Sequence, residues 1–526
     1  MTPAALVRLL EDPPGPDALD LLRRHGLLDP WRAAAELRAI AKDAEARSAL
    51  ARLLPALLPA LSAVPDPDAA LSRLERFVHA SGGGAGVLAV LHERGPASLE
   101  LLAWALGASP FLADQLVRHP EWAGWLTDPH ALGRSPSAKQ LAGHVRQAIA
   151  EAGPGGARDV LRRTRRREIL RIALLDLRRV ASVEETLGAL SSLADALVSG
   201  AFHVAVAEVR AEAGLKPLHS GARSGFAVLA LGKLGGSELN FSSDVDLVYL
   251  HRTDSGAVSR QSGSVTLHAH AEALGRRITA VLGEASHEGH VYRVDLRLRP
   301  EGRAGAISHS LRAAQEYYDA RGASWERLAL IKARPVAGDA QLARALLRRV
   351  TAFVWERAFD AQALRQVLRM KHDSDHRLAA RGLTDRHVKL GRGGIREIEL
   401  ITQVLQLRGG SLRALRARAT LPALSALREA GALPVPEADA LARAYLFLRD
   451  VENKLQMVHD AQTHVLPVDG DELRLLARRL GYPDRRDAPA AGSFRSDLAG
   501  HAETVHRLFQ ELLVRPSSAE ALREEA

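Results

Sequence analysis

The chain contains no cysteine among its 526 residues. That absence excludes disulfides, thiolate zinc sites and cysteine nucleophiles, and it suits a cytosolic compartment without requiring one. Aromatic residues make up only 4% of the sequence, so a base-stacking platform for single-stranded nucleic acid is not expected. Long apolar runs are missing as well. The most apolar early stretch, LLPALLPALSAVP, is interrupted by Pro55 and Pro59, and nothing approaches the roughly 18 continuous apolar residues of a membrane span. At the start, MTPAALVRLLEDPPGPDALD puts acidic residues and prolines where a secretory leader needs an apolar core. The expectation is a soluble, cytoplasmic protein with no membrane partner.

What is present is length and mixed charge. A 526-residue chain with 47% hydrophobic and 25% charged residues reads as globular, and its length calls for two or three domains. Lys and Arg number 71 against 62 Asp and Glu, a formal charge of +9. The surplus suits a phosphate-bearing partner, but the two signs are interspersed, so nucleic acid is not the expected one. The basic run RRTRRREILRIALLDLRR carries a helical apolar stripe at Ile169, Leu170, Ile172, Leu174 and Leu177. It is therefore read as a helix with a solvated basic face.

Residues from Ala4 to about Pro136 show apolar positions at helical spacing, as in LSRLERFVHAS and LELLAWALGAS, separated by Pro/Gly breaks. The texture changes at Gly225. GFAVLAL and DVDLVYLH read as strands, LHAHAEALGRRITAVLGEA as a helix, and the alternation from Val291 to Arg299 as a third strand. After Gly305 the pattern returns to helices, and the tail from Ser517 reads as frayed. The expected class is α+β, predominantly helical. Its divisions are 1–130, 131–345 with a compact α/β core at about 225–300, and 346–526.

Asp244 and Asp246 flank Val245 within a strand, so alternation points both carboxylates to one face. Two carboxylates side by side repel unless a divalent cation sits between them. Asp295, in the next strand, would complete a three-carboxylate cluster. Such a cluster suits two Mg²⁺ ions about 4 Å apart, aligning an attacking oxygen, a phosphorus and a leaving oxygen. Gly235, Gly236 and Ser237 fit a phosphate held by backbone N–H groups and one hydroxyl. Lys233, Arg297, Arg299, Lys332 and Arg334 are candidates to neutralise phosphate oxygens, with ordinary surface charge as the alternative for Lys233 and Arg299. Arg396, Glu399, Gln403 and Gln406 recur at steps of three and four residues on one helix. That stripe suits either a nucleotide pocket or water. The histidines of HAH at 268–270 and KHDSDH at 371–376 lack the spacing of a zinc motif and read as solvated helix surface. GRGG at 391–394 follows no clear strand, so it reads as a loop at a helix N-terminus.

Taken together, GKLGGSELNFSSDVDLVYL, YRVDLRLRPEGRAG, SWERLALIKARPVAGD, VKLGRGGIREIELITQVLQL and VENKLQMVHDAQTHVLP resemble the glutamine synthetase adenylyltransferase/adenylyl-removing family. That family lies within the DNA polymerase β-like nucleotidyltransferases. The likeness runs from about residue 100 to 515. It implies a nucleotidyltransferase core, Asp244, Asp246 and Asp295 as catalytic and Mg²⁺-binding residues, and ATP or ADP with phosphate as small ligands. It implies glutamine synthetase and a PII-type signal protein as partners. The family's enzymes carry two such modules and this chain has one. The forms ELNFSSDVDL, WERLALIKAR and KLGRGGIREIE resemble the adenylyl-removing half, with Asn240 and Phe241 among the discriminating residues. The resemblance therefore implies phosphorolysis of adenylyl-tyrosine to tyrosine and ADP. The alternatives are AMP transfer from ATP, a non-catalytic docking module, and an RNA nucleotide-adding enzyme.

Overall fold

The computed structural model describes residues 9–10, 13–126, 128, 133, 136–215, 225–260, 263–485 and 487–516. The expected tail from Ser517 and the first helical residues after Ala4 lie outside them. Eight helices fill Pro16 to Leu126, three of them opened by Asp29, Asp43 and Asp66, whose side chains accept a backbone N–H in the first turn. Pro55 and Pro59 do not end their helix; it runs unbroken from Ala44 to Ser62.

Two long helices follow, α1 (Ala138–Leu177) and α2 (Val183–Glu212), each started by a capping box, Ser137 with Gln140 and Ser182 with Glu185. α1 kinks at Gly153, whose φ of 65° precedes Pro154. Among the described residues α2 is the one helix long and apolar enough to cross a membrane, yet 67% of its most apolar window is buried inside the fold. The stripe from Ile169 to Leu177 is buried as expected. The basic face beside it is solvated only in part, at Arg163 and Arg167. Arg162, Arg165 and Arg171 are buried, and each is ion-paired, with Asp159, Asp460 and Glu168.

The sheet carries the site. β1 (Phe226–Ala230) and β2 (Val245–His251) pair antiparallel. A hairpin not foreseen in the sequence, β3 (Ala257–Arg260) with β4 (Gly263–Thr266), leads into α3 (Leu267–Gly283). The other edge of β2 pairs in parallel first with β5 (Val294–Asp295) and then with β6 (Ser308–Ser310), while β7 (Arg334–Gly338) pairs antiparallel with β1. The expected third strand from Val291 to Arg299 shrinks to two residues. Arg297 folds back to donate its backbone N–H to Asp295 Oδ1 at 2.8 Å, which turns the chain out of the sheet. The region after Gly305 is likewise not purely helical, because β6 and β7 complete the sheet.

Alternation on the strands divides the core. Phe226, Val228, Val245, Leu247 and Tyr249 join the apolar cluster that includes the N-terminal helices, α1 and α2. Ala227, Leu229, Val248 and Leu250 join the cluster of C-terminal helices, α4 (Ser324–Ile331), α5 (Ala361–Ala379), α6 (Ile395–Arg408), α7 (Val435–Met457) and α8 (Ala490–Phe509). Asp246 has the parity of Val248 and Leu250, so it points towards the C-terminal helices.

Candidate active site

At the end of β1, the Leu231 N–H donates to the Asp246 carbonyl at 2.9 Å, and the chain enters a single helical turn, Gly232–Gly235. Gly232 has φ of 52°, and a Cβ on it would lie 2.1 Å from Asp246 Oδ2. Only glycine gives that carboxylate its room. Asp244 immediately precedes β2 and accepts from Arg293 Nε at 2.7 Å. Asp246 is in direct register with Asp295 of β5, so the two carboxylates sit on adjacent strands. Burial, and then the negative charge of Asp295, push the Asp246 carboxyl up to about 6. Burial acts in the same sense on Asp295, but the hydrogen bonds from Arg297 outweigh it and hold that carboxyl below the usual range.

These aspartates open onto a cavity of about 420 Å³ that also exposes Gly232, Lys233, Arg297, Trp325, Leu328, Lys332, Lys389, Arg396, Glu399 and Gln403. Most of its cations are already paired. Lys233 donates to Glu452 on α7 at 2.9 Å, and burial pushes its ammonium down to about 7 against the pull of Glu452. Lys332 donates to Glu238 at 2.9 Å and Glu399 at 3.1 Å, and these carboxylates overcome burial to hold its proton more tightly than usual. Glu399 falls to about 2, because Lys332 and then Arg396 outweigh burial. Lys389, which the sequence reading missed, lines the cavity and makes no ion pair with a described residue. Gln403 is 5% exposed, its Nε2 donates to the Leu328 carbonyl at 3.2 Å, and its Oε1 has no partner.

Other candidates sit elsewhere. Gly235 and Gly236 are buried off the cavity wall; a Cβ on Gly235 would lie 2.3 Å from the Lys332 carbonyl, and one on Gly236 2.8 Å from Glu238 Oε2. Ser237 is exposed with φ of 58°. Arg299 is spent on the carbonyls of Leu296, Gly305 and Ala306, which fold the loop after β5. Arg334 clasps Asp195 and the Leu234 carbonyl, each at 2.8 Å. Gln406 ties down the carbonyls of Leu415 and Ala417. Asn240 and Phe241 are buried behind the site, Asn240 accepting from Arg449 at 2.9 Å. Lys371 of KHDSDH is buried and bonded to Asp375 and Glu397.

The family model for glutamate-ammonia ligase adenylyltransferase matches residues 99–349, which hold the whole sheet and all three aspartates. The bifunctional glutamine synthetase adenylyltransferase/adenylyl-removing enzyme of Rhizobium meliloti (strain 1021) is 38% identical over 426 residues, covering 78% of this chain and 42% of that protein. The enzyme of the same description from Stenotrophomonas maltophilia (strain R551-3) is 39% identical over 434 residues, covering 82% and 44%. Residues 99–349 of the chain carry the domain of the glutamate-ammonia ligase adenylyltransferase family. The chain spans less than half the length of these relatives. A second family model, for GlnD PII-uridylyltransferase, matches residues 357–513. The cavity therefore draws on both matched regions. The adenylyltransferase match supplies the aspartates and Lys332, and the second supplies Lys389, Arg396, Glu399 and Gln403.

Proposed function

We propose that this chain removes AMP from an adenylylated tyrosine of glutamine synthetase by phosphorolysis, releasing tyrosine and ADP. The observation that carries the reading is the register of Asp246 against Asp295, beside Asp244, at the floor of a cavity rimmed by cations. The direction of transfer rests on the likeness of ELNFSSDVDL, WERLALIKAR and KLGRGGIREIE to adenylyl-removing sequences.

The donor set fits Mg²⁺. Three carboxylates supply hard oxygens, and the repulsion between Asp246 and Asp295 is a cost that a divalent cation removes. Asp244 and Asp246 would hold the metal, with Asp295 completing the set. Bound there, Mg²⁺ would offset charge on the reacting phosphate and on the departing phenolate.

The chain's own residues do the rest. Lys389, with Lys233, Arg297 and Arg396, draws the incoming phosphate to the cavity and orients one of its oxygens towards the α-phosphorus. That oxygen forms the new P–O bond as the bond to the tyrosine oxygen breaks. The phenol's ordinary pKa near 10 makes phenolate a tolerable leaving group, which then takes up a proton. Gly232 keeps the wall thin where the phosphate passes Asp246. Gly235, Gly236 and Arg334 brace the turn from behind, and Lys332 fixes Glu399. Trp325 and Leu328 offer an apolar face for the adenine. The PII-type partner and a cytoplasmic setting belong to the same proposal; the match of residues 357–513 supports the PII link.

The same carboxylates serve AMP transfer from ATP, so a two-way product test separates the readings. Purified chain with Mg²⁺, phosphate and adenylylated synthetase is expected to yield ADP. Pyrophosphate from ATP and unmodified synthetase, with no ADP from the first mixture, would reverse the direction.

A further inference from the structure

We propose that His251, Asp254 and His268 form a second cation site, of a different chemical class, that takes Zn²⁺ or a similar borderline transition-metal ion. One donor atom from each lies within 4.8 Å of the others. Asp254 Oδ1 is 2.8 Å from His251 Nε2 and 3.3 Å from His268 Nδ1. Tetrahedral Zn²⁺ with bonds near 2.0–2.1 Å spaces its donors by about 3.3 Å. Small side-chain shifts therefore suffice to admit the ion.

The surroundings orient the donors. His251 is buried at the end of β2, and its Nδ1 lies 2.9 Å from Oγ of the buried Ser308 on β6. A ring proton on Nδ1, donated to Ser308, leaves the Nε2 lone pair facing Asp254, the arrangement by which outer hydrogen bonds set a metal-binding imidazole. The Ser310 hydroxyl bonds the Asp254 carboxylate. Asp254 and His268 are half exposed, at 53% and 45%, which gives an ion access and leaves a coordination position for water.

Two imidazoles and one carboxylate select Zn²⁺, Co²⁺ or Ni²⁺ over Mg²⁺, whereas the three aspartates at the other end of β2 select Mg²⁺. Asp246 and His251 are five residues apart on β2, roughly 16 Å at strand spacing, so the two sites are separate. Asp254 precedes the β3–β4 hairpin and His268 follows it. An ion held by both clamps the base of that hairpin to the sheet.

The test uses the full chain carrying Asp244→Asn, Asp246→Asn and Asp295→Asn, stripped with chelator, so that the oxygen cluster does not contribute. Titration with Zn²⁺ is expected to give one ion per chain, and Co²⁺ the visible absorption of a tetrahedral centre. Adding His268→Ala, with folding checked by circular dichroism, is expected to weaken Zn²⁺ binding about tenfold or more and to abolish the Co²⁺ band. Asp254→Asn in place of His268→Ala should do the same. Absence of stoichiometric Zn²⁺, or equal binding with and without His268→Ala, means the two histidines merely hydrogen-bond Asp254, and the proposal fails. None of these outcomes depends on nucleotidyl transfer.

Discussion

Asp246 is held in the sheet against its own electrostatic preference. Burial and the facing Asp295 raise its carboxyl, so Asp246→Asn removes a repulsion as well as a ligand. The variant is expected to melt no lower than wild type without Mg²⁺, to lose the upward shift that Mg²⁺ gives wild type, and to turn over at least about 100-fold more slowly. Thermal melts with and without Mg²⁺, beside ADP formation, check all three. Gly232→Ala acts on the same carboxylate from the other side. It places a methyl on Asp246 Oδ2 and forces alanine into a left-handed conformation, costing about 1–2 kcal/mol in conformation alone. Activity should fall further than that stability loss explains, as read by comparing kcat with the urea midpoint. That Asp244 and Asp246 open on one cavity was legible in the sequence, because residues on either side of Val245 share a face in extended backbone, although β2 itself begins at Val245. Gly232 was not. GKLGGS offers three glycines, and which of them meets Asp246 depends on the register of β1 with β2, which no local pattern encodes.

The elements meet through buried charge. Lys332, at the end of α4, joins Glu238 behind the single turn to Glu399 on α6. Lys332→Met leaves buried Glu238 without a cation and Glu399 with only Arg396, at 3.7 Å, and is expected to cost about 3–5 kcal/mol in urea unfolding. The loop before α6 depends on a neutral imidazole. His387 Nδ1 accepts the Leu390 N–H at 3.0 Å, and burial, then His464, push that ring down to about 4. The unfolded chain protonates His387 near 6.5 while the folded one does not. The unfolded state thus binds more protons in that window, and the stability this group confers is lost as pH falls from about 6.5 to 4. His387→Asn keeps an acceptor without a titrating ring, so unfolding midpoints measured from pH 7 to 4.5 should decline less steeply. At this scale the sequence was partly readable. β1, β2 and α3 follow their periodicities closely. β5 fell short because Asp295 captures the next backbone N–H but one, a competition between side chain and ladder that alternation does not reveal. β6 escaped notice because three residues carry too little pattern, and β7 because RPVAG contains a proline and a glycine that read as a break.

Across the whole molecule, the surplus of arginine and lysine works inward more than the composition suggested. Lys454 of α7 bridges Asp176 of α1 at 2.6 Å and Asp450 at 2.7 Å, and Arg165 of α1 reaches Asp460 at 3.0 Å. Ser109 donates to the Met457 carbonyl at the end of α7 at 2.7 Å. Net charge could not disclose this, since a count of signs says nothing about which charges fold inside. The same ties make the site a product of the entire chain. A fragment ending at residue 349 keeps the aspartates but loses Lys389, Arg396 and Glu399 and bares the apolar face of β1 and β2 that packs on the C-terminal helices. It is expected to aggregate or to lack a cooperative melt, checked by size exclusion and calorimetry, and to show no turnover. The central claim is that phosphate, drawn to the cavity, becomes part of the product. The direct measurement supplies ³²P-labelled phosphate with Mg²⁺ and adenylylated glutamine synthetase to the full chain and follows the label. Its appearance as the β-phosphate of ADP, lost in Asp246→Asn, is the expected result; release of AMP, or ADP carrying no label, would contradict it.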